Sequence, residues 1–287
     1  MKKDILDEAS IFLLKNGFTV KKLTRTCFDI VARKNTQILL IKTLQDANAV
    51  SEQYANEMIK VSSYIHATPI IISEKAGDNL QDNVIYLRFN VFTLNFHTLI
   101  NIINNRRPFI RRTKAGLTAS LAGKKLKETR ENMNLSLNKL AQKVGVSKRM
   151  ISKYEGGTSE ITINKALKIY EIFGEMVFHK VNIFEYKMLL PSLKKTDIAK
   201  KYTELGFEAA DTNKVPFDII AKKDKEIILT KVGDNKISES ISLSKLIDAD
   251  NLVIFKKKKP KDVPSLTKKE FMEFEKANEL IRFLKDF

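Results

Sequence analysis

The chain of 287 residues has one cysteine, Cys27, three scattered histidines and no long apolar run. Each shortage excludes something. One cysteine cannot build an internal disulfide framework, and it suits a reducing cytoplasm, the compartment we expect. His66, His97 and His179 lie far apart in the chain, so no zinc-ligand cluster is on offer, and we expect neither metal nor cofactor. No uninterrupted apolar stretch approaches a membrane span, and the first residues, MKKDILDEAS, lack the apolar core of a signal peptide. No membrane partner is expected.

What is present is a sizeable apolar fraction and an uneven charge. Hydrophobic residues make up 43% of the chain, which argues against global disorder, and the length allows two or three domains with their own cores. The formal net charge of +17 is not spread evenly: residues 1–105 contribute +2, residues 106–180 contribute +11 and residues 181–287 contribute +4. A local basic excess of this kind suits phosphate neutralisation and counterion release.

The basic quarter contains the most informative stretch, GKKLKETRENMNLSLNKLAQKVGVSKRMISKYEGG, residues 123–157. Three short amphipathic helices are predicted. The first carries Leu126 and Arg130 and ends near Met133. Ser136 precedes the apolar-periodic Leu137, Leu140, Ala141 and Val144, the pattern of an N-cap and its helix. Gly145 ends that helix, because a residue without a Cβ accepts the left-handed geometry of a tight C-terminal turn. Ser147 caps the third helix, with Met150, Ile151 and Tyr154 on its buried face and Lys148, Arg149, Ser152 and Lys153 left outward. Two helices joined by a three- or four-residue turn with a glycine form the layout of a DNA-reading helix-turn-helix.

The stretch resembles the lambda-repressor/Cro-like family. The resemblance rests on Leu140-Ala141, Gly145-Val146-Ser147, Ile151-Ser152 and Tyr154-Glu155-Gly156, and continues through Ile163, Ala166, Leu167, Ile169 and Phe173. Just upstream, residues 108–121 read as a β-hairpin with Lys114-Ala115-Gly116 at its tip and arginines along its first arm. The candidate DNA contacts are therefore Ser147, Lys148, Arg149, Ser152 and Lys153 on the recognition helix. Ser136 and Asn138 on the preceding helix and Arg111, Arg112 and Lys114 on the hairpin complete the set.

Either side of this module, the order of elements is the same. Residues 4–16 read as a helix ended by Gly17, followed by strands near 18–23, 28–34 and 37–43, a helix over 50–66 and a strand over 69–73. Strand-like pieces at 84–88 and 91–93 and a helix over 96–103 come next. The α-β-β-β-α-β order recurs from about 194 to 256. Gly17-Phe18 aligns with Gly206-Phe207, Phe28-Asp29-Ile30 with Phe217-Asp218-Ile219, Ala32 with Ala221 and Lys42 with Lys231, all at one offset of 189 residues. We read this as a duplication. A strand is expected over 176–184, leading to Pro191, a solvated basic loop over 256–261 and one amphipathic helix over 267–287.

The duplicated unit resembles the PD-(D/E)xK nuclease-like superfamily. There an Asp on one strand and an acidic-x-Lys triplet on the next hold Mg²⁺ and stabilise charge. Asp29 and Asp218 fall at the first position and Lys42 and Lys231 at the last. The second acid is missing, because the triplets read Leu40-Ile41-Lys42 and Leu229-Thr230-Lys231. The resemblance thus implies the fold without the cleavage centre.

The whole chain resembles a family of archaeal helix-turn-helix transcriptional regulators. The expected architecture is multidomain, α/β plus all-α: a degenerate nuclease-like α/β domain over 1–105, the basic hairpin and Cro-like domain over 106–183, and a second degenerate nuclease-like domain over 184–287. The expected function is sequence-specific, non-enzymatic binding of double-stranded DNA by a homodimer, with an unknown effector as a further partner. The alternatives are a metal-dependent nuclease with atypical ligands and a non-catalytic interaction scaffold.

Overall fold

The computed structural model describes residues 4–185, 195–235 and 237–287. The chain forms two compact units, one made of Met1–Ile72, Phe89–Val91 and Tyr186–Phe287, the other of Ser73–Arg88 and Phe92–Glu185. Both α/β repeats therefore belong to the first unit.

The first repeat begins with α1 (Ile5–Lys15), whose N-cap Asp4 accepts a hydrogen bond from the Leu6 amide at 3.1 Å. Gly17, at φ +80°, turns the chain into β1 (Thr19–Lys22). β2 (Ile30–Lys34) and β3 (Gln37–Asp46) follow, both antiparallel to their predecessor. The tight turn between them has Asn35 in the left-handed region. α2 (Glu52–Ile65) is capped by Ser51, and β4 (Thr68–Ala76) comes next to β3. Phe28, Ile30, Leu39, Leu40 and Ile41 are fully buried.

The second unit starts with a short β5 (Asp78–Asn79) and β6 (Val84–Arg88), then β7 (Val91–Leu94) and α3 (Phe96–Ile103). The predicted hairpin is present as β8 (Ile110–Thr113) and β9 (Gly116–Ala119), with Gly116 at φ +99° where its turn closes. β8 runs parallel to β6, and the short β10 (Ile161–Thr162) pairs antiparallel with β9. The helical part is α4 (Gly123–Asn132), α5 (Leu137–Val144), α6 (Lys148–Glu155) and α7 (Ile163–Phe173). One core joins them, with Leu126, Leu140, Val144, Ile151, Ile161 and Ile169 at 0% exposure.

The strand expected over 176–184 is not formed. A 3-10 turn, Glu175–Val177, is followed by one isolated antiparallel bridge between Leu121 and Phe178, and then by a second 3-10 turn, Ile183–Glu185. The backbone changes neighbour too soon to build a ladder: His179 donates to the Ser120 carbonyl at 2.9 Å, and Val181 already donates to the Pro108 carbonyl at 2.7 Å. Pro191 and the start of the helix expected from 194 lie outside the described residues.

The second repeat consists of α8 (Asp197–Glu204), β11 (Glu208–Asp211), β12 (Ile219–Lys223), β13 (Glu226–Val232), α9 (Ile237–Ile247) and β14 (Asp250–Ile254). Its strand registers repeat those of the first copy at the offset of 189. Val31 opposes Leu40 as Ile220 opposes Leu229, and Lys34 opposes Gln37 as Lys223 opposes Glu226. Left-handed residues recur at the same spacing: Gly17 and Gly206, Arg25 and Lys214, Asn35 and Asp224. Arg25 and Lys214 carry side chains where φ is +57° and +56°, an uncommon conformation that chance would not place twice.

The repeats face each other reciprocally. α2 packs on β12, while α9 packs on β1. Arg33 on β2 is bonded to Asp248 just after α9, and its counterpart Lys222 on β12 is bonded to His66 just after α2. This is the self-complementary pattern of a twofold dimer, realised here within one chain.

β15 (Ser265–Leu266) extends the second sheet, and two helices follow, α10 (Lys268–Glu273) and α11 (Ala277–Lys285). The single terminal helix expected from the apolar pattern is thus broken. Phe274 and Lys276 adopt extended backbone, and the Glu279 carboxylate accepts from the Lys276 amide at 3.3 Å, which starts a new helix. The break lets Phe271 and Leu280 both reach the core, each at 0% exposure.

Candidate nucleic-acid interface

The local chemistry that shapes the helix pair is short-range. Ser136 accepts from the Lys139 amide at 3.2 Å and Ser147 from the Met150 amide at 3.2 Å, so each helix start has a satisfied N–H. Gly145, at φ +74°, donates to the Ala141 carbonyl at 2.8 Å, and Val146 donates to the same carbonyl at 3.0 Å. The connection is therefore Gly145-Val146-Ser147, and Ala141, 4% exposed, sits in the core that the helices share.

Two further features fix α6, and neither is visible as a local pattern. A Cβ on Gly123 would lie 2.3 Å from the Glu155 carbonyl oxygen, so only glycine lets the start of α4 meet the end of α6. Arg130 on α4 reaches Glu155 through Nε at 2.6 Å and a terminal nitrogen at 3.1 Å, and also bonds the Leu135 carbonyl at 2.9 Å. The bond to Glu155 raises the pKa of the Arg130 guanidinium above its ordinary value.

With Ile151 and Tyr154 turned inward, Lys148, Arg149, Ser152 and Lys153 are all exposed along α6. The Ser152 hydroxyl bonds back to the Lys148 carbonyl at 3.3 Å, and none of the three cations has an ion-pair partner among the described residues. Asn138 is exposed on the first turn of α5, and the Ser136 and Ser147 oxygens act as caps. On the hairpin, Arg112 and Lys114 are exposed. Arg111 differs: its guanidinium is held by Glu160 at 2.9 Å and by the Ser120 hydroxyl at 3.1 Å, while Thr118 donates to the other Glu160 oxygen at 2.9 Å. A residue paired in this way presents less free charge than its sequence neighbours.

In the first unit, each repeat places its Asp and Lys together. Asp29 bonds Lys42 at 2.7 Å through one oxygen, and its other oxygen accepts from the Thr43 amide at 2.8 Å and hydroxyl at 3.0 Å. Asp218 bonds Lys231 at 2.8 Å and the Val232 amide at 2.7 Å. Leu40 and Leu229 are fully buried. A hard divalent cation needs several oxygen ligands. One carboxylate per repeat, already neutralised by lysine, does not fit such an ion, and no cluster of three or more His, Cys, Asp or Glu side chains exists among the described residues.

Residues 2–108 match the PD-(D/E)XK superfamily domain, and residues 123–176 match a helix-turn-helix domain. Archaeal proteins are similar along nearly the full length. A protein of Methanocaldococcus jannaschii named "Putative HTH-type transcriptional regulatory protein" is 31% identical, covering 99% of this chain and 97% of its own length. Like-named proteins of Archaeoglobus fulgidus and Methanococcoides burtonii are 29% identical over 98% of this chain and 97% of theirs, and 32% identical over 82% and 78%. No solved structure matches the chain. The capped helix pair, the N-terminal nuclease-like domain and this full-length similarity agree, and the chain belongs to the family of archaeal HTH-type transcriptional regulatory proteins.

Proposed function

We propose that the protein is a sequence-specific regulator that binds double-stranded DNA without cleaving it, laying α6 in the major groove. The observation that carries this reading is the row of exposed, unpaired Lys148, Arg149 and Lys153 on a helix whose start and end are fixed by Ser147, Gly123 and Arg130. Arg149 is suited to bidentate hydrogen bonding with guanine O6 and N7, while Lys148 and Lys153 suit the flanking phosphates. Asn138, Arg112 and Lys114 extend the charged and polar surface, and the family name points the same way. One module of this kind covers half an operator, so we propose a homodimer on two half-sites. The α/β repeats then serve as a structural pair, since each Asp is spent on its own Lys and each missing acid is a buried leucine.

Selection of bound sequences from a random duplex pool tests the reading. Enrichment of a twofold-symmetric motif with guanine at a fixed position supports it. Recovery of unenriched sequence at every salt concentration overturns it.

A further inference from the structure

A cleft of about 890 Å³ opens in the second unit, lined by the end of α3, the segment leading into β8 and one side of α7. That size is typical of small-molecule sites. Arg106 and Arg107 line it, and among the described residues neither guanidinium has a hydrogen bond or ion pair. Nearby Arg111, by contrast, is occupied by Glu160.

The cleft also has an aromatic wall. Phe109 stacks on Phe178 with ring centres 4.5 Å apart and on Tyr170 at 6.0 Å, the Phe109 and Tyr170 rings lying 15° from parallel. Tyr170 remains 43% exposed, so the stack ends in solvent. The carboxylate of Glu175 in the lining is neutralised by Lys180, whose ammonium also lies 5.3 Å from the Phe109 ring centre. His97, at the start of α3, also lines the cleft and is paired with Asp82 at 3.0 Å, so the unpaired cations facing the cleft are the two arginines. Side-chain amides complete the wall: Asn101 donates through Nδ2 to Asn83 at 2.8 Å and has no partner on its side-chain Oδ1, and Asn105 has no side-chain partner, among the described residues.

We propose that this cleft binds a small anion carrying a planar ring, the chemistry of a mononucleotide. The anion sits on Arg106 and Arg107, where planar, charge-assisted hydrogen bonds are available. The ring extends the Phe109–Tyr170 stack, and the amides of Asn101 and Asn105 meet its polar edge. The site adjoins α7, whose Ala166 and Ile169 share a core with α5. Occupancy is thus linked to the helix pair through one packed element. Nothing in the proposal requires α6 to read bases, so the two readings fail separately.

The test is calorimetric titration of the full chain with AMP, GMP, CMP and UMP, and with inorganic phosphate and the nucleosides alone. At least one mononucleotide should bind about tenfold or more tightly than either fragment. Arg106→Ala with Arg107→Ala should weaken that binding by about tenfold or more and leave nucleoside binding unchanged. Tyr170→Ala should weaken mononucleotide and nucleoside alike by about fivefold or more. Tyr170 and Arg106 are exposed and Arg107 is half-buried with no side-chain bond among the described residues, so both variants should fold, which circular dichroism checks. The proposal is overturned if no mononucleotide binds, if phosphate alone binds as tightly, or if the double variant leaves affinity unchanged. Loss of duplex binding alone in that variant would assign the arginines to the DNA surface and overturn it equally.

Discussion

Arg130 and Glu155 form a two-bonded ion pair in which both side chains are 8% exposed. The pair ties the first helix of the helix-turn-helix module to the last residue of α6, so the direction of α6 depends on a contact between residues 25 positions apart. Removing one partner of a buried pair leaves an uncompensated charge. Arg130→Ala should destabilise the second unit by about 3–5 kcal/mol, and Arg130→Met with Glu155→Leu should recover most of that loss. Denaturant unfolding of the single and double variants measures both. Equal stability of Arg130→Ala and wild type would show that the pair is solvated.

Gly123→Ala tests the same crossing through sterics. The added methyl would meet backbone, the Glu155 carbonyl, which cannot swing aside as a side chain would. Overpacking of this kind costs about 1–3 kcal/mol or displaces the helix. We expect a lower melting temperature together with weaker duplex binding. Unchanged values for both would mean that the helices separate freely at this point.

On the outer face of α6, two substitutions should behave differently. Arg149→Ala should cost about 1–3 kcal/mol at the preferred site and relax one base position. Lys153→Ala should weaken binding to all duplexes alike and reduce the slope of log affinity against log salt by about 1. Binding isotherms at several salt concentrations, on selected and scrambled duplexes, separate the two effects. A uniform loss with Arg149→Ala would move that residue from base to backbone contact.

The two Asp–Lys pairs should be chemically silent. Purified protein is expected to leave supercoiled, linear and branched DNA intact in Mg²⁺ or Mn²⁺. Leu40→Glu restores the absent acid in a site with no solvent access, where desolvation opposes the charge. It should lower stability without creating a nuclease. Metal-dependent cutting that disappears in Asp29→Ala or Asp218→Ala would contradict this account.

Cys27 supplies a pH-dependent prediction. Burial, with a smaller contribution from Glu57, pushes its thiol from 9.0 up to about 12. The thiolate is the reactive form, so native Cys27 should resist alkylation near pH 8 and label only as the unit unfolds. The folded value lies above the unfolded one. The associated stability is therefore complete below pH 9.0 and is lost progressively as pH rises towards about 12. Labelling kinetics with and without denaturant check the first point, and alkaline unfolding of Cys27→Ser checks the second. Rapid labelling of the native chain would refute the buried thiol.

The sequence by itself settled what depends on neighbours along the chain. Ser136, Gly145 and Ser147 mark helix ends through hydrogen bonds spanning three or four residues, so the helix pair is legible in the sequence alone. The repeat was legible too, because a fixed offset preserves both the turn residues and the alternation of each strand. Long-range decisions were not. Whether Arg111 is free or paired depends on Glu160, which β10 brings alongside through its ladder with β9. The apolar pattern over 267–287 does not encode the break at Phe274–Lys276, because burying both Phe271 and Leu280 is a requirement of the sheet beneath them. A strand over 176–184 has adequate local propensity but no continuous neighbour to pair with. The reciprocal seating of the two repeats through Arg33–Asp248 and Lys222–His66 likewise has no signature in the sequence. Capping and periodicity act within a few residues, whereas pairing, closure and charge neutralisation depend on which distant groups the fold brings within bonding distance.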